Sequence, residues 1–136
     1  ETNQFCDFTE AVLEIISKSG IKHGSVSLFT PHTTTAVVIN ESETGYINDF
    51  KKKIEELVPS DSYYEHDDWD LRTENMQEDE NVNGRSHVRG TIIGSSGVTL
   101  PIINSELIIG RWQRLFFVEL DCARSRRLFV QTQDLN

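Results

Sequence analysis

An α+β fold rich in β structure follows from three features of the sequence. Two runs, Thr34 to Asn40 and Trp112 to Asp121, are built largely from the β-branched, apolar and aromatic residues that fill buried strands. Two others, Ala11 to Ile16 and Ile47 to Leu57, place apolar residues at the three-to-four-residue spacing of an amphipathic helix. Between residues 60 and 81 neither period persists. A chain of 136 residues, 37% of them apolar, needs only one core. Residues 1–136 therefore form one domain, which should bury about two-thirds of its unfolded surface. The sequence starts at Glu1 rather than at a methionine, and a first strand is expected to be missing before it.

In chain order, Asp7 and Glu10 have the spacing of a capping box, after which Ala11, Val12, Ile15 and Ile16 recur until Lys18 and Gly20 end the helix. His23 falls in the connecting turn, and Ser25 to Thr30 reads as a strand closed by Pro31. After Glu41 the residues Ser42 to Gly45 are cap material for a second helix, with Ile47, Phe50, Ile54 and Leu57 on one side, Lys51, Lys52 and Lys53 on the solvated side, and Pro59 as its stop. Asn83 caps a third, short helix through Ile93 before Gly94. Two internal glycines make it weak by propensity. Val98 to Ile102 and Glu106 to Ile109 form a hairpin about Asn104-Ser105. The strongest strand, Trp112 to Asp121, is expected to pair with Arg126 to Thr132 across a turn that carries Asp121, Arg124 and Arg126.

Most of the chemistry gathers in Phe29 to Glu41, which holds an imidazole, three consecutive threonines, an amide and a carboxylate around what reads as a central strand. Strand alternation puts Thr33, Thr35 and Glu41 on one face and His32, Thr34 and Asn40 on the other. His32 and Glu41 need not share a site. A second cluster, Tyr63 to Asp70, sets His66 beside carboxylates and aromatics, suited to a divalent cation or to raising the pKa of the imidazole. The third lies where His87 and Arg85 follow the start of the weak helix, whose free backbone N–H groups suit an anion.

Net charge is −9, and residues 61 to 80 account for most of it, with nine acids against the single base Arg72. No basic stripe remains for a nucleic-acid backbone. No apolar run is long enough to span a membrane, and two cysteines outside any CxxC pattern suit a reducing, cytoplasmic setting. Segment 60–81 exceeds the usual length of connections in compact domains and is expected to act as a lid over the site.

Taken together, His32-Thr33-Thr34, Ile39-Asn40-Glu41, the His66 segment, Asn83 with His87, Pro101, Gly110-Arg111-Trp112-Gln113 and Glu119-Leu120-Asp121 with Arg124 and Arg126 resemble the secondary thiamine-phosphate synthase, or YjbQ-like, family. The resemblance spans nearly the whole chain. It implies a β-rich α+β fold with a mixed or antiparallel, sandwich-like sheet, a homotrimer, and a pocket where three histidines meet near a subunit boundary. It also implies a weak ability to join hydroxymethylpyrimidine pyrophosphate to thiazole phosphate. The chain departs from the family pattern at Cys122-Ala123, at Gly84-Arg85 and at Ser105. The first alters the arginine turn, and the second adds a cation beside His87.

The candidate catalytic residues are accordingly His32, Glu41, His66, His87 and Asp121; Thr33, Thr34, Asn83, Arg85, Gln113, Arg124 and Arg126 are the candidate substrate contacts. Transfer with loss of pyrophosphate requires charge neutralisation on the leaving group, which suits arginine forks and a Mg²⁺ held by Asp67 or Asp68. The same three histidines also fit a catalytic zinc site for hydrolysis. A third possibility is a trimeric binder of a phosphorylated small molecule without catalysis. No organic cofactor is expected.

Overall fold

The computed structural model describes residues 2–135. Seven strands form two antiparallel sheets. Strands β1 (Gln4–Asp7), β6 (Gln113–Glu119) and β3 (Thr35–Glu41) make one, in the order β1-β6-β3. Strands β5 (Glu106–Leu107), β4 (Gly97–Ile103), β2 (His23–Phe29) and β7 (Phe129–Asp134) make the other, in the order β5-β4-β2-β7. The helices are α1 (Thr9–Ser19), α2 (Thr44–Leu57) and α3 (Gly84–Ile93). The expected α+β class and the sandwich of sheets are both present, with every strand pair antiparallel.

Alternation along the strands builds the core. Val37 and Leu115 of the first sheet meet Val26, Leu28 and Ile102 of the second, and Val12 and Ile16 of α1 join them. The opposite faces of β3 and β6 supply Ala36, Phe116 and Val118 to another cluster with Leu120, against which Phe5 and Ile93 pack. The three-stranded sheet is thus covered on both sides. That explains why its sequences look apolar throughout.

Several elements differ from the sequence reading. Strand β3 is at a sheet edge, and β6 is central; apolar residues on both faces report layers above and below, not neighbours to either side. Strand β7 pairs with β2 instead of β6, because the chain from Leu120 to Leu128 crosses from one sheet to the other. β1 was not foreseen. His23 is the exposed first residue of β2 rather than part of a turn. The capping box of α1 does not form: Asp7 accepts from Thr9 N–H and Oγ–H at 3.0 and 2.7 Å, while Glu10 reaches Arg114 at 3.0 Å. The Asn104-Ser105 hairpin is as expected, and both residues adopt the positive φ of a type I′ turn, 52° and 64°.

Arg89 of α3 is fully buried and fixes the end of α2. Its guanidinium donates to the Val58 carbonyl at 2.6 and 3.2 Å, to Glu55 at 2.5 Å and to Asn3 at 3.4 Å. Segment 60–83 starts at this anchor.

Candidate active cleft

One open cleft of about 1020 Å³ gathers His32, Thr33, Thr34, His66, Asn83, His87, Arg124 and Arg126, with residues 71–75, Gln77 and Asp79 to Asn81 among its lining. These residues come from four parts of the chain: the β2–β3 connection, segment 60–83, the start of α3 and the β6–β7 crossover. The β2–β3 connection and the β6–β7 crossover meet there because the Leu120 N–H donates to the Thr34 carbonyl at 3.1 Å, extending the β3–β6 ladder past the strand ends. Asp121 lies behind this wall, reached through Arg124.

The β2–β3 turn is fixed from within. Thr30 and Thr35 hydroxyls lie 2.7 Å apart, and Thr35 Oγ–H donates to the His32 carbonyl at 3.2 Å. Nε2 of His32 accepts the Arg127 N–H at 2.9 Å, so a neutral His32 carries its proton on Nδ1. Burial and the nearby Arg126 guanidinium hold this imidazole below its ordinary pKa.

On the opposite wall the rings of His66 and His87 are 4.4 Å apart and tilted by 51°. Burial, together with His66 and Arg72, pushes His87 down as well. Near neutral pH, His32 and His87 thus act as neutral hydrogen-bonding rings. His66 Nε2 lies 3.3 Å from both Arg72 Nη1 and Glu80 Oε1.

The two cleft arginines of the β6–β7 crossover, Arg124 and Arg126, are braced by buried carboxylates. Glu119 accepts from Nε and Nη2 of Arg126 at 2.6 Å each, and Thr34 accepts from Nη2 at 3.2 Å. Asp121, only 1% exposed, accepts from Arg124. The bonds to Arg126 leave its Nη1 for a ligand oxygen.

The start of α3 is not the open anion site its sequence suggested. Asp67 occupies it, accepting from Asn83 N–H and Gly84 N–H at 2.9 Å each. Asn83 turns its amide to Asp121 at 3.4 Å and makes no side-chain cap. Gly84 is required at this contact, since a Cβ there would lie 2.6 Å from Tyr64 Cβ and 2.9 Å from Asp67 Oδ2.

Not every expected residue enters the cleft. Arg85 and His87 are two positions apart on a helix and so point about 200° apart; Arg85 donates to the Val82 carbonyl at 3.1 Å. Glu41 pairs in register with Gln113 at the far end of the β3–β6 ladder, where Gln113 accepts from the Gly110 N–H at 2.6 Å. Neither reaches the cleft within one chain.

The three imidazoles do not fit a shared metal site within the chain either. No group of three or more His, Cys, Asp or Glu side chains among the described residues is arranged to hold an ion. His32 Nε2 is already engaged, and Asp67 is taken by α3. Asp68 accepts the Tyr63 hydroxyl at 2.6 Å and the Asp70 N–H at 3.1 Å. Sequence reasoning quoted Glu119 only as part of a motif, without its role as the brace of Arg126, and gave no site role to Glu80 or Arg72. The signal for Arg72 was its position as the only base among nine acids.

The fold and cleft define a class, a small two-sheet α+β domain with a polar cleft of imidazoles and carboxylate-braced guanidiniums. The chain belongs to the UPF0047 protein YjbQ-like family, whose model matches residues 1–134. It is 36% identical over 128 residues to a UPF0047 protein of Archaeoglobus fulgidus, covering 94% of this chain and 90% of the relative. A UPF0047 protein of Methanothermobacter thermautotrophicus is 35% identical over 127 residues, covering 93% and 80%. Among solved structures, a YbjQ-like protein of Sulfolobus solfataricus superposes with a TM-score of 0.80 at 32% identity, over 96% of this chain and 86% of that one. A hypothetical protein of Aeropyrum pernix gives 0.81 at 31%, over 96% and 89%. No helix among the described residues is long and apolar enough to cross a membrane.

Proposed function

We propose that the cleft binds a phosphorylated small molecule and catalyses transfer with loss of pyrophosphate, in the manner of a secondary thiamine-phosphate synthase. The observation that carries this reading is the convergence of His32, His66, His87, Arg124 and Arg126 on one cleft. In the reaction, the C–O bond between the pyrimidine methylene and pyrophosphate breaks while the thiazole nitrogen lone pair forms the new C–N bond. That nitrogen carries no proton, so no strong base is required. The leaving oxygens need donors instead, and the free N–H groups of Arg126 and the neutral His32 and His87 rings supply them. The bracing by Glu119 and Asp121 fixes the arginine forks in advance, at the cost of a less cationic cleft, which suits a weak or secondary synthase activity.

The test incubates the protein with hydroxymethylpyrimidine pyrophosphate and thiazole phosphate while product and released pyrophosphate are measured. Equal release of both is expected. Pyrophosphate binding without turnover would leave a binder, and stoichiometric zinc in the purified protein with hydrolysis of phosphate esters would replace this reading with a metal-dependent one.

The same proposal includes a homotrimer. The outer face of the four-stranded sheet presents the uncharged Ser25, Ser27, Thr99, Pro101, Gln131 and Gln133, with Phe29, Ile103 and Phe129 on it 48%, 46% and 51% exposed, and carries His23 and Glu106 only at one end, in register with Ile103. Such a face favours an uncharged partner surface. Sedimentation showing a stable monomer at micromolar concentration would remove it.

A further inference from the structure

We infer that Arg72 is the positioning residue of the cleft, folding the acidic segment into one unit that holds the His66 ring against His87. This deepens the proposed function and rests on it for the role of the two imidazoles, although the positioning itself can be read without any ligand.

The argument starts from donor geometry. A guanidinium presents N–H groups in a rigid, planar fork, and Arg72 uses its fork on four separate points of the same segment. Nε donates to the Glu74 carbonyl at 3.1 Å, and Nη2 to the Asn75 carbonyl at 3.1 Å. Nη1 donates to the His66 carbonyl at 3.0 Å and to Glu80 at 2.8 Å. The Arg72 side chain is only 13% exposed although it lies in a polar loop. Residues 66, 74, 75 and 80 are thereby closed around one charge.

The consequence falls on His66. Its backbone is held by Nη1, and its Nε2 sits 3.3 Å from the same nitrogen and from the Glu80 carboxylate. On the other side, Asp67 ties the neighbouring backbone to the start of α3, where Gly84 lets the two approach. Between these anchors the His66 ring has one place to go, 4.4 Å from His87. No buried apolar side chain from this segment contributes to the core clusters, so the Arg72 fork takes the part that packing takes elsewhere. Lysine carries the charge but concentrates its donors at one point and cannot span four acceptors.

The test uses Arg72→Lys and Arg72→Ala in the full chain, with protein labelled at its histidines. Wild type should show a nuclear Overhauser contact between the His66 and His87 rings, and both variants should lose it. Their pyrophosphate affinity should fall roughly tenfold or more, as expected when a binding group is misplaced by an ångström or so. Amide protection in β6 serves as the folding control and should be unchanged. Retention of both the ring contact and affinity in Arg72→Lys would overturn the proposal, since the charge alone would then suffice. Loss of the ring contact in both variants, when wild type keeps that contact but binds no pyrophosphate, would preserve the positioning role and remove the proposed function instead.

Discussion

The two sheets and the segment from Ser60 to Asn83 are consolidated by opposite means. Between the sheets lie fully buried Val26, Leu28, Val37 and Leu115, and the other face of the three-stranded sheet buries Phe116 and Val118, none of them more than 1% exposed. In the segment, Tyr63, Trp69, Leu71 and Val82 are 67%, 52%, 65% and 61% exposed, and order comes from Arg72, Asp67 and the Tyr64 hydroxyl on the Pro59 carbonyl at 2.6 Å. Apolar burial is non-directional and tolerant, whereas hydrogen bonds to charged groups fix particular atoms. The body therefore provides stability, and the segment provides geometry. A site that needs an imidazole at a set distance gains more from the second kind of contact.

Breaking the body should have the largest effect. Phe116→Ala removes a ring that is 1% exposed and packs edge-on to Phe5 at 5.4 Å, and is expected to cost about 3–5 kcal/mol in urea unfolding. Gly84→Ala tests the junction between the regions. The new methyl must displace Tyr64 and Asp67, and a loss of about 1–3 kcal/mol is expected, together with faster proteolysis within 60–83. Asp67→Asn weakens the cap on α3 without adding bulk. It should cost about 1 kcal/mol, with increased amide exchange at Gly84 and in the segment but not in β6. Equal exchange in both regions would show that the two are not separately consolidated.

The histidines sharpen the contrast further. His32→Ala and His87→Ala should each lower stability by no more than about 1 kcal/mol while reducing pyrophosphate affinity strongly in calorimetry. His23→Ala, on the outer face of β2, should change neither. If His66→Ala bound like wild type while the other two did not, the segment wall would be excluded from the site.

The smallest effects are expected with pH. His32 and His87 have folded pKa values below the ordinary 6.5, so the unfolded chain takes up protons first, and stability falls as pH drops below about 6.5. Glu55 is drawn from 4.5 to about 2 by the Ser60 N–H and also by Arg89. Its contribution is present above pH 4.5 and is lost as pH falls toward 2. Urea midpoints measured from pH 8 to pH 3 should therefore decline in two stages. A phosphate ligand stabilises protonated imidazoles, so its binding should strengthen between pH 8 and 6.

The sequence by itself determined the α+β class, the three helices, the Asn104-Ser105 hairpin and the membership of His32, His66, His87, Arg124 and Arg126 in one candidate set. The class, the helices and the hairpin rest on local signals, periodicity and turn chemistry, whereas the grouping of those five side chains rests on the resemblance to the YjbQ-like family. Only the tertiary structure decided that β7 joins β2 and that β3 lies at an edge, because apolar pattern specifies faces and leaves lateral order to long-range pairing. It also separated Arg85 from His87, withdrew Glu41 and Gln113 to the far end of the ladder, and filled the start of α3 with Asp67. Each of these depends on which groups meet across many residues of chain, and a donor's partner is fixed by position in space. Arg72 shows this most clearly, because its sequence marks it only as a lone base among acids and its four acceptors exist only once the segment has closed around it.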